Sequence, residues 1–242
     1  MEVKNTILVL SGKGGVGKTT VAVNLAYELS RRGFKTGLMD VDIHGPNVPK
    51  MLGMEEMKPE TNDNILPIMF NENLYVMSIA FFLEESDSAI LWRGPLKHKL
   101  IRQFVEDVEW GKLDYLVVDF PPGTGDEPLS ISQLLKNITG SVIVSTPQQV
   151  ALLDVAKAVN FSERLNIPVI GIIENMSGGV FGSGGVEKFA KSKGINFLGS
   201  LKLDKMIAES GDLGEPFIKD HNSDSSKSFE KIVDKVISFC NQ

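Results

Sequence analysis

An apolar run, Thr6–Leu10, leads directly into Ser-Gly-Lys-Gly-Gly-Val-Gly-Lys-Thr-Thr at Ser11–Thr20, and a helix-like segment follows. Gly12, Gly17, Lys18 and Thr19 occupy the fixed places of the phosphate-loop pattern G-x-x-x-x-G-K-[ST], in the strand–turn–helix setting that the pattern requires. Glycine admits positive φ, so Gly12, Gly14, Gly15 and Gly17 let the backbone around Val16 turn its N–H groups onto an anion. The start of the following helix, at Thr19 and Thr20, adds a favourable dipole. Lys18 is placed to reach the β- and γ-phosphates, and the Thr19 hydroxyl to ligate Mg²⁺. Lys13 puts a second cation inside the loop itself. The segment predicts binding of a nucleoside triphosphate.

Composition narrows the partners. The net charge of −6 argues against nucleic acid, which favours a basic face. No apolar run approaches the roughly 20 residues needed to span a membrane. The N-terminus enters a strand too soon to carry a signal peptide. Cys240 is the single cysteine, so an intrachain disulfide or a local Cys-x-x-Cys site is excluded. These features predict a cytoplasmic protein, and 242 residues with 42% hydrophobic content suit one large α/β domain over 1–242.

Short apolar runs of strand length recur at Thr6–Leu10, Thr36–Asp40, Tyr115–Asp119, Ser141–Ser145, Val169–Glu174 and Phe197–Ser200. Helical patterns at Thr19–Arg32, Leu96–Val108, Ala151–Leu165 and Val186–Lys193 lie between several of them. The alternation predicts a mostly parallel twisted sheet with helices on both faces. Loops after the strands then gather on one edge, where ligands bind. Ile65–Ile68 and Leu74–Ser78 are expected to pair within an excursion, and Lys219–Lys227 to form a surface connection. Phe229, Ile232, Val233, Val236, Ile237 and Cys240 recur at helical spacing and predict a terminal helix docked on the core.

Two acidic segments follow strand-like runs. Asp40 and Asp42 close Thr36–Asp40 and open Met-Asp-Val-Asp-Ile-His-Gly-Pro-Asn-Val-Pro; a carboxylate at this edge can hold the water for in-line attack on a γ-phosphate. Spacing alone also allows two turn or capping aspartates. Asp119 ends an apolar strand before Phe-Pro-Pro-Gly-Thr-Gly-Asp, the manner in which phosphate-loop proteins hold Mg²⁺. Gly123 and Gly125 allow the loop after it to move with the γ-phosphate. His44, His98 and His221 lack metal-ligand spacing and read as ordinary histidines. The nine methionines read as packing residues.

These segments resemble the Mrp/ApbC branch of the MinD-like (SIMIBI) P-loop ATPases over most of the chain. The resemblance rests on the deviant phosphate loop, the Asp40–Pro49 segment, Trp92-Arg93-Gly94-Pro95, Asp119–Asp126 and Thr146–Asp154. Glu174-Asn-Met-Ser177, Phe181–Gly185 and Gly211–Pro216 extend it. It implies a cytoplasmic ATP- and Mg²⁺-dependent ATPase that works as a homodimer, with Lys13 crossing to the partner's nucleotide. Asp42 would orient the attacking water, Asp40 and Asp119 would serve the Mg²⁺ region with Thr19, and Asn175 would read the adenine edge. It implies a role in iron–sulfur cluster assembly, with apo iron–sulfur clients or scaffold proteins as partners and a [4Fe–4S] cluster as cargo. Relatives in this branch commonly carry Cys-x-x-Cys between the Glu-Asn-Met-Ser and Phe-Gly-x-Gly-Gly segments; here Ser177-Gly-Gly-Val-Phe-Gly runs through without cysteine. That departure keeps open a metallocentre-maturation ATPase, for example in hydrogenase nickel insertion, or a MinD-like positioning switch.

Overall fold

The computed structural model describes residues 2–60, 64–82 and 95–242, with side chains from residue 101 onward in the last segment. Of the Trp92–Pro95 segment, Trp92, Arg93, Gly94 and the Pro95 side chain lie outside the described residues, as does the His98 side chain. The strands are β1 (Glu2–Leu10), β2 (Thr36–Asp40), β3 (Ile68–Asn71), β4 (Leu74–Ser78), β5 (Lys112–Asp119), β6 (Ile138–Ser145), β7 (Val169–Ser177) and β8 (Phe197–Lys202). They form one sheet in the order β3-β4-β2-β5-β1-β6-β7-β8, parallel throughout except for the β3–β4 pair at one edge.

The helices are α1 (Lys18–Arg31), α2 (Val48–Met51), α3 (Pro95–Glu106), α4 (Asp126–Leu134), α5 (Gln149–Arg164), α6 (Gly185–Lys193), α7 (Lys205–Asp212) and α8 (Asp224–Cys240). Successive strand residues point to opposite faces. Thus Ile7 and Val9 of β1 join a core packed by α1 and α8, whereas Leu8 and Leu10 join a second core packed by α3, α4, α5 and α6. A sheet covered on both sides requires near-continuous apolar strands, and Leu116, Val117 and Val118 of β5 are fully buried.

The expected excursion pairs differently from its sequence reading. Ile68–Asn71, not Ile65–Ile68, runs antiparallel to β4, while Ile65 bridges Val108. Pro67 lacks an N–H for a ladder and separates the two pairings. The polar stretch Lys219–Lys227 is only partly a surface connection. Asp224 already begins α8, capped by the Ser223 hydroxyl accepting from the Ser226 amide at 3.1 Å. Just before it, Phe217 and Ile218 are buried. On α8, Phe229, Ile232, Val233 and Val236 are buried, and Ile237 and Cys240 pack against the same core from partly buried positions.

A charge cluster fastens the end of α1 to α8. Glu28 is buried, and its carboxylate accepts from Arg31 Nε at 2.7 Å, Arg31 Nη2 at 2.8 Å and Arg32 Nε at 2.7 Å. Arg32 also reaches Asp234 of α8 at 2.5 Å. Burial works to raise the Glu28 pKa, but its bonds to the two arginines outweigh burial and hold the carboxyl below the ordinary value. A depressed carboxyl stabilises the fold above its unfolded pKa and loses that contribution as pH falls through the folded value. Glu28→Gln is expected to cost about 1–3 kcal/mol near neutrality. Denaturant titrations of variant and parent should converge as the pH is taken below about 4; an unchanged gap would contradict the charge-based account.

Candidate nucleotide site

The parallel register brings the acidic residues together. Asp40 of β2 is the direct partner of Asp119 of β5, and Asp119 is the partner of Val9, two residues before the phosphate loop. Both carboxylates are fully buried, and Asp42 and Lys18 are nearly so. Lys18 Nζ lies 2.6 Å from Asp119 Oδ1 and 3.5 Å from Asp42 Oδ2. Burial opposes the charge on Lys18, yet Asp119, followed by Asp42 and Asp40, keeps its pKa above the ordinary lysine value. Burial pushes Asp119 up against the pull of Lys18 and the neighbouring Thr19 hydroxyl. Asp40, buried beside Asp119, is pushed up to about 8.

Asp40 and Asp42 divide between structure and cleft. Asp40 Oδ1 accepts from the Asp42 amide at 3.1 Å. Its Oδ2 accepts from the Val48 amide at 3.3 Å and the Ser78 hydroxyl at 2.8 Å. The carboxylate expected in the Mg²⁺ region therefore holds both ends of the 42–48 loop and ties them to β4. Asp42 lines the cleft, and its Oδ1 accepts from the His44 amide at 3.3 Å.

The phosphate loop is built by close approach. Gly15 and Gly17 have φ of +77° and +82°, and Gly17 caps α1. A Cβ at Gly12 would sit 2.1 Å from the Asp154 carbonyl oxygen of α5, and one at Gly17 would sit 2.1 Å from Asn175 Nδ2. Asn175 donates from Nδ2 to the Val16 carbonyl at 2.9 Å, so the end of β7 is pinned to the loop. Met176, at φ +55°, turns the chain immediately afterwards. Lys13 is half-buried at the loop, and its ammonium makes no ion pair among the described residues.

A cleft of about 630 Å³ opens over these groups, lined by Gly14, Gly15, Gly17, Lys18, Thr19 and Thr20 on one side and by Asn175 and Met176 on another. Lys202 at the end of β8 and Leu203 and Asp204 after it, together with Ile207 and Gly211 of α7, complete it. A cleft of this size lies within the range that small-molecule ligands occupy. Mg²⁺ requires hard oxygen donors, and the residues present fit it: Asp119 Oδ2 is buried without a well-formed hydrogen bond, beside the Thr19 hydroxyl. Among the described residues no group of three or more His, Cys, Asp or Glu side chains is arranged to hold a metal ion by itself.

Three features of the site escaped the sequence reading. Asp204 caps α7, accepting from the Met206 amide at 3.0 Å and from the Ser225 hydroxyl at 2.6 Å, and the aspartate before an amphipathic octamer is the signal that marks it. Glu174 buries its carboxylate against the Ser177 hydroxyl and the Gly184 and Val186 amides, at 2.7, 2.9 and 2.9 Å. His44, which reads as ordinary from sequence, meets Glu127 of α4 at 2.9 Å.

The model of the ParA-type NUBPL iron-transfer P-loop NTPases matches residues 2–237. The chain belongs to that family. It is 47% identical to the iron-sulfur cluster carrier protein of Methanocaldococcus jannaschii, over 98% of this chain and 85% of that protein. The carrier protein of Saccharolobus solfataricus is also 47% identical, over 97% and 83%. Among solved structures, a nucleotide-binding protein from Archaeoglobus fulgidus in complex with ADP is 35% identical and superposes with a TM-score of 0.79, over 94% of this chain and 92% of that one. The septum site-determining protein MinD of Pyrococcus horikoshii, complexed with Mg-ADP, shares the fold at 23% identity with a TM-score of 0.78, over 96% and 95%. This chain is accordingly an Mrp-type P-loop ATPase with the MinD-like fold that the resemblance implied. No helix among the described residues is long and apolar enough to cross a membrane.

The packing at Gly12 generates a direct test. A methyl group there meets main-chain oxygen, which cannot rotate away. Gly12→Ala is expected to cost about 1–3 kcal/mol by overpacking and to weaken nucleotide binding by displacing the loop. Thermal unfolding and titration with a fluorescent ADP analogue read both effects; parent-like values in both would remove the constraint.

Proposed function

We propose that residues 1–242 act as a single ATPase domain and that two copies form an ATP-dependent cytoplasmic homodimer serving iron–sulfur cluster assembly and delivery to apo-proteins. The observation that carries this reading is the 47% identity to iron-sulfur cluster carrier proteins along nearly the whole chain.

In the ATPase site, the amides of Gly12–Thr20 hold the phosphates and Lys18 neutralises the β- and γ-phosphates. Thr19 and Asp119 would hold Mg²⁺, which when bound would supply positive charge to offset that developing on the phosphate oxygens. Asp40 acts at one remove, fixing the loop that presents Asp42. Asp42 accepts a hydrogen bond from the attacking water and aims it in line with the leaving ADP oxygen. A bond forms from the water oxygen to the γ-phosphorus as the bond to the bridging oxygen breaks, giving ADP and phosphate. Asn175 stands beside the adenine. Lys13, without an ion-pair partner within its own chain's described residues, extends to the nucleotide of the second copy.

The cluster is cargo in this scheme, and its thiolates have to come largely from elsewhere. Iron–sulfur clusters are commonly held by four cysteines, while the Ser177–Gly185 loop has none and Cys240 is the single cysteine of the chain. Burial pushes the Cys240 thiol up to about 11, away from the thiolate a cluster needs. We assign ligation to a cysteine-bearing scaffold or client, with the ATP cycle of this chain controlling transfer. The same loop keeps the metallocentre-maturation reading as the second one, in which the carried metal differs and the division of labour is the same.

Anaerobic transfer of a [4Fe–4S] cluster from a loaded scaffold to an apo-protein should accelerate when the chain and Mg-ATP are added together. Iron and sulfide counts after reconstitution of the chain alone should stay well below one cluster per dimer. Transfer indifferent to ATP would overturn the carrier reading while leaving the ATPase in place. Lys13→Ala is expected to bind ATP nearly as the parent does and to lose about 10³-fold in turnover, the scale of a cation delivered in trans. Equal turnover in variant and parent would sink that assignment.

A further inference from the structure

The two loops that border the γ-phosphate end of the cleft leave adjacent strands. One follows Asp40 and carries Asp42 and His44; the other follows Asp119 and runs through Gly123 and Gly125 into α4. Each is anchored at its root. Asp40 binds the Asp42 and Val48 amides of the first loop, and the Gly123 amide of the second donates to the Ser11 carbonyl at 2.9 Å. Beyond the roots, His44 Nε2 lies 2.9 Å from Glu127 Oε2.

His44 is well placed to act across this gap. Its own amide donates to Asp42 Oδ1, so imidazole and water-directing carboxylate belong to one turn of chain. Glu127 stands in the first turn of α4, one residue beyond the Asp126 that ends the second loop. The side-chain contact therefore joins the segment that aims the nucleophile to the segment that follows Asp119.

We propose that His44 and Glu127 are a pair of positioning residues that lock the two loops to each other, so that Asp42 is held on line only when the loop after Asp119 is also in place. Neither touches the reacting atoms. The pair acts through Asp42 on the hydrolytic step and leaves the phosphate cradle alone. Through Nε2 the ring can donate to a carboxylate only as the Nε2–H neutral tautomer or as the cation. The contact thus needs a donor at position 44 and an acceptor at position 127.

The inference rests on the ATPase activity, and parent turnover measured in parallel separates failure of that activity from failure of the pair. His44→Ala and Glu127→Ala are each expected to lower kcat about fivefold, the upper range for a partly exposed ion pair. KM for ATP should stay within twofold. The double variant should be no slower than either single one, since coupled residues are non-additive. Exchanging the two residues, with His44→Glu and Glu127→His together, should recover most of the loss. Hydrogen exchange supplies a readout independent of hydrolysis: His44→Ala should speed exchange at residues 123–127, in the loop it does not belong to. Additive losses, unrescued exchange of the residues, or unchanged protection at 123–127 would overturn the proposal. Retained binding of a non-hydrolysable ATP analogue certifies that each variant is folded.

Discussion

Everything at the site depends on three parallel strands being in register. β1 delivers the phosphate loop, β5 delivers Asp119 and β2 delivers Asp40, and the pairing of Val9 with Asp119 and of Asp119 with Asp40 sets these ends side by side. A shift of one residue would turn the carboxylates to the other face of the sheet. Two buried carboxylates at adjacent strand ends are costly unless a cation answers them. Lys18, at the start of α1, supplies the positive charge from the turn that the strand itself feeds. The glycines then follow from the geometry, because bringing Lys18 over the strand ends presses the loop against α5 at Gly12 and against Asn175 at Gly17.

What was legible in the sequence was whatever is encoded locally. The phosphate loop is ten consecutive residues, Asp40 and Asp119 each close an apolar run, and the strands and longer helices carry their own periodicity. The short helices were harder to read. α4 begins Asp-Glu-Pro, which suits a helix start, but its nine residues give too little apolar stripe to register. α7 has eight residues and depends on Asp204 as its cap. The partners of Asp40 were hidden for a different reason: Ser78 is 38 residues away and Val48 is held by main chain, so no spacing could reveal that this carboxylate also ties the loop to the fold. His44 and Glu127 are 83 residues apart, and neither lies in a pattern that predicts the other.

The loop between β7 and α6 is where this chain departs from the cysteine-bearing pattern of the Mrp/ApbC resemblance, and its order has a source of its own. Glu174 accepts from Ser177, Gly184 and Val186, which closes the loop on itself and caps the start of α6. Gly178, Gly179, Gly182 and Gly184 take positive φ within it, conformations that residues with a Cβ seldom adopt. The loop is therefore shaped by a buried carboxylate and glycine backbone. The neighbouring residue, Asn175, is the one that pins the phosphate loop. One strand end thus serves both the nucleotide cleft and the glycine loop, and movement of Asn175 would be felt at Glu174.

That adjacency bears on how the proposed role in cluster transfer can be served by an ATPase whose Ser177–Gly185 loop has no thiolate. In the proposed cycle the cleft and the surface that meets a partner have to change together, and two sets of contacts lead out of the cleft: Asn175 with the adjoining Glu174 at β7, and Asp42 with His44 and Glu127 toward α4. The first leads to a glycine loop whose Val180 is 90% exposed; the second leads to α4, whose Leu129 is partly exposed. A partner that brings its own cysteines needs no ligand from this surface, only a surface that differs before and after phosphate leaves. Both sets of contacts end near exposed apolar side chains, which would give a partner of the proposed kind a route of contact back to the cleft.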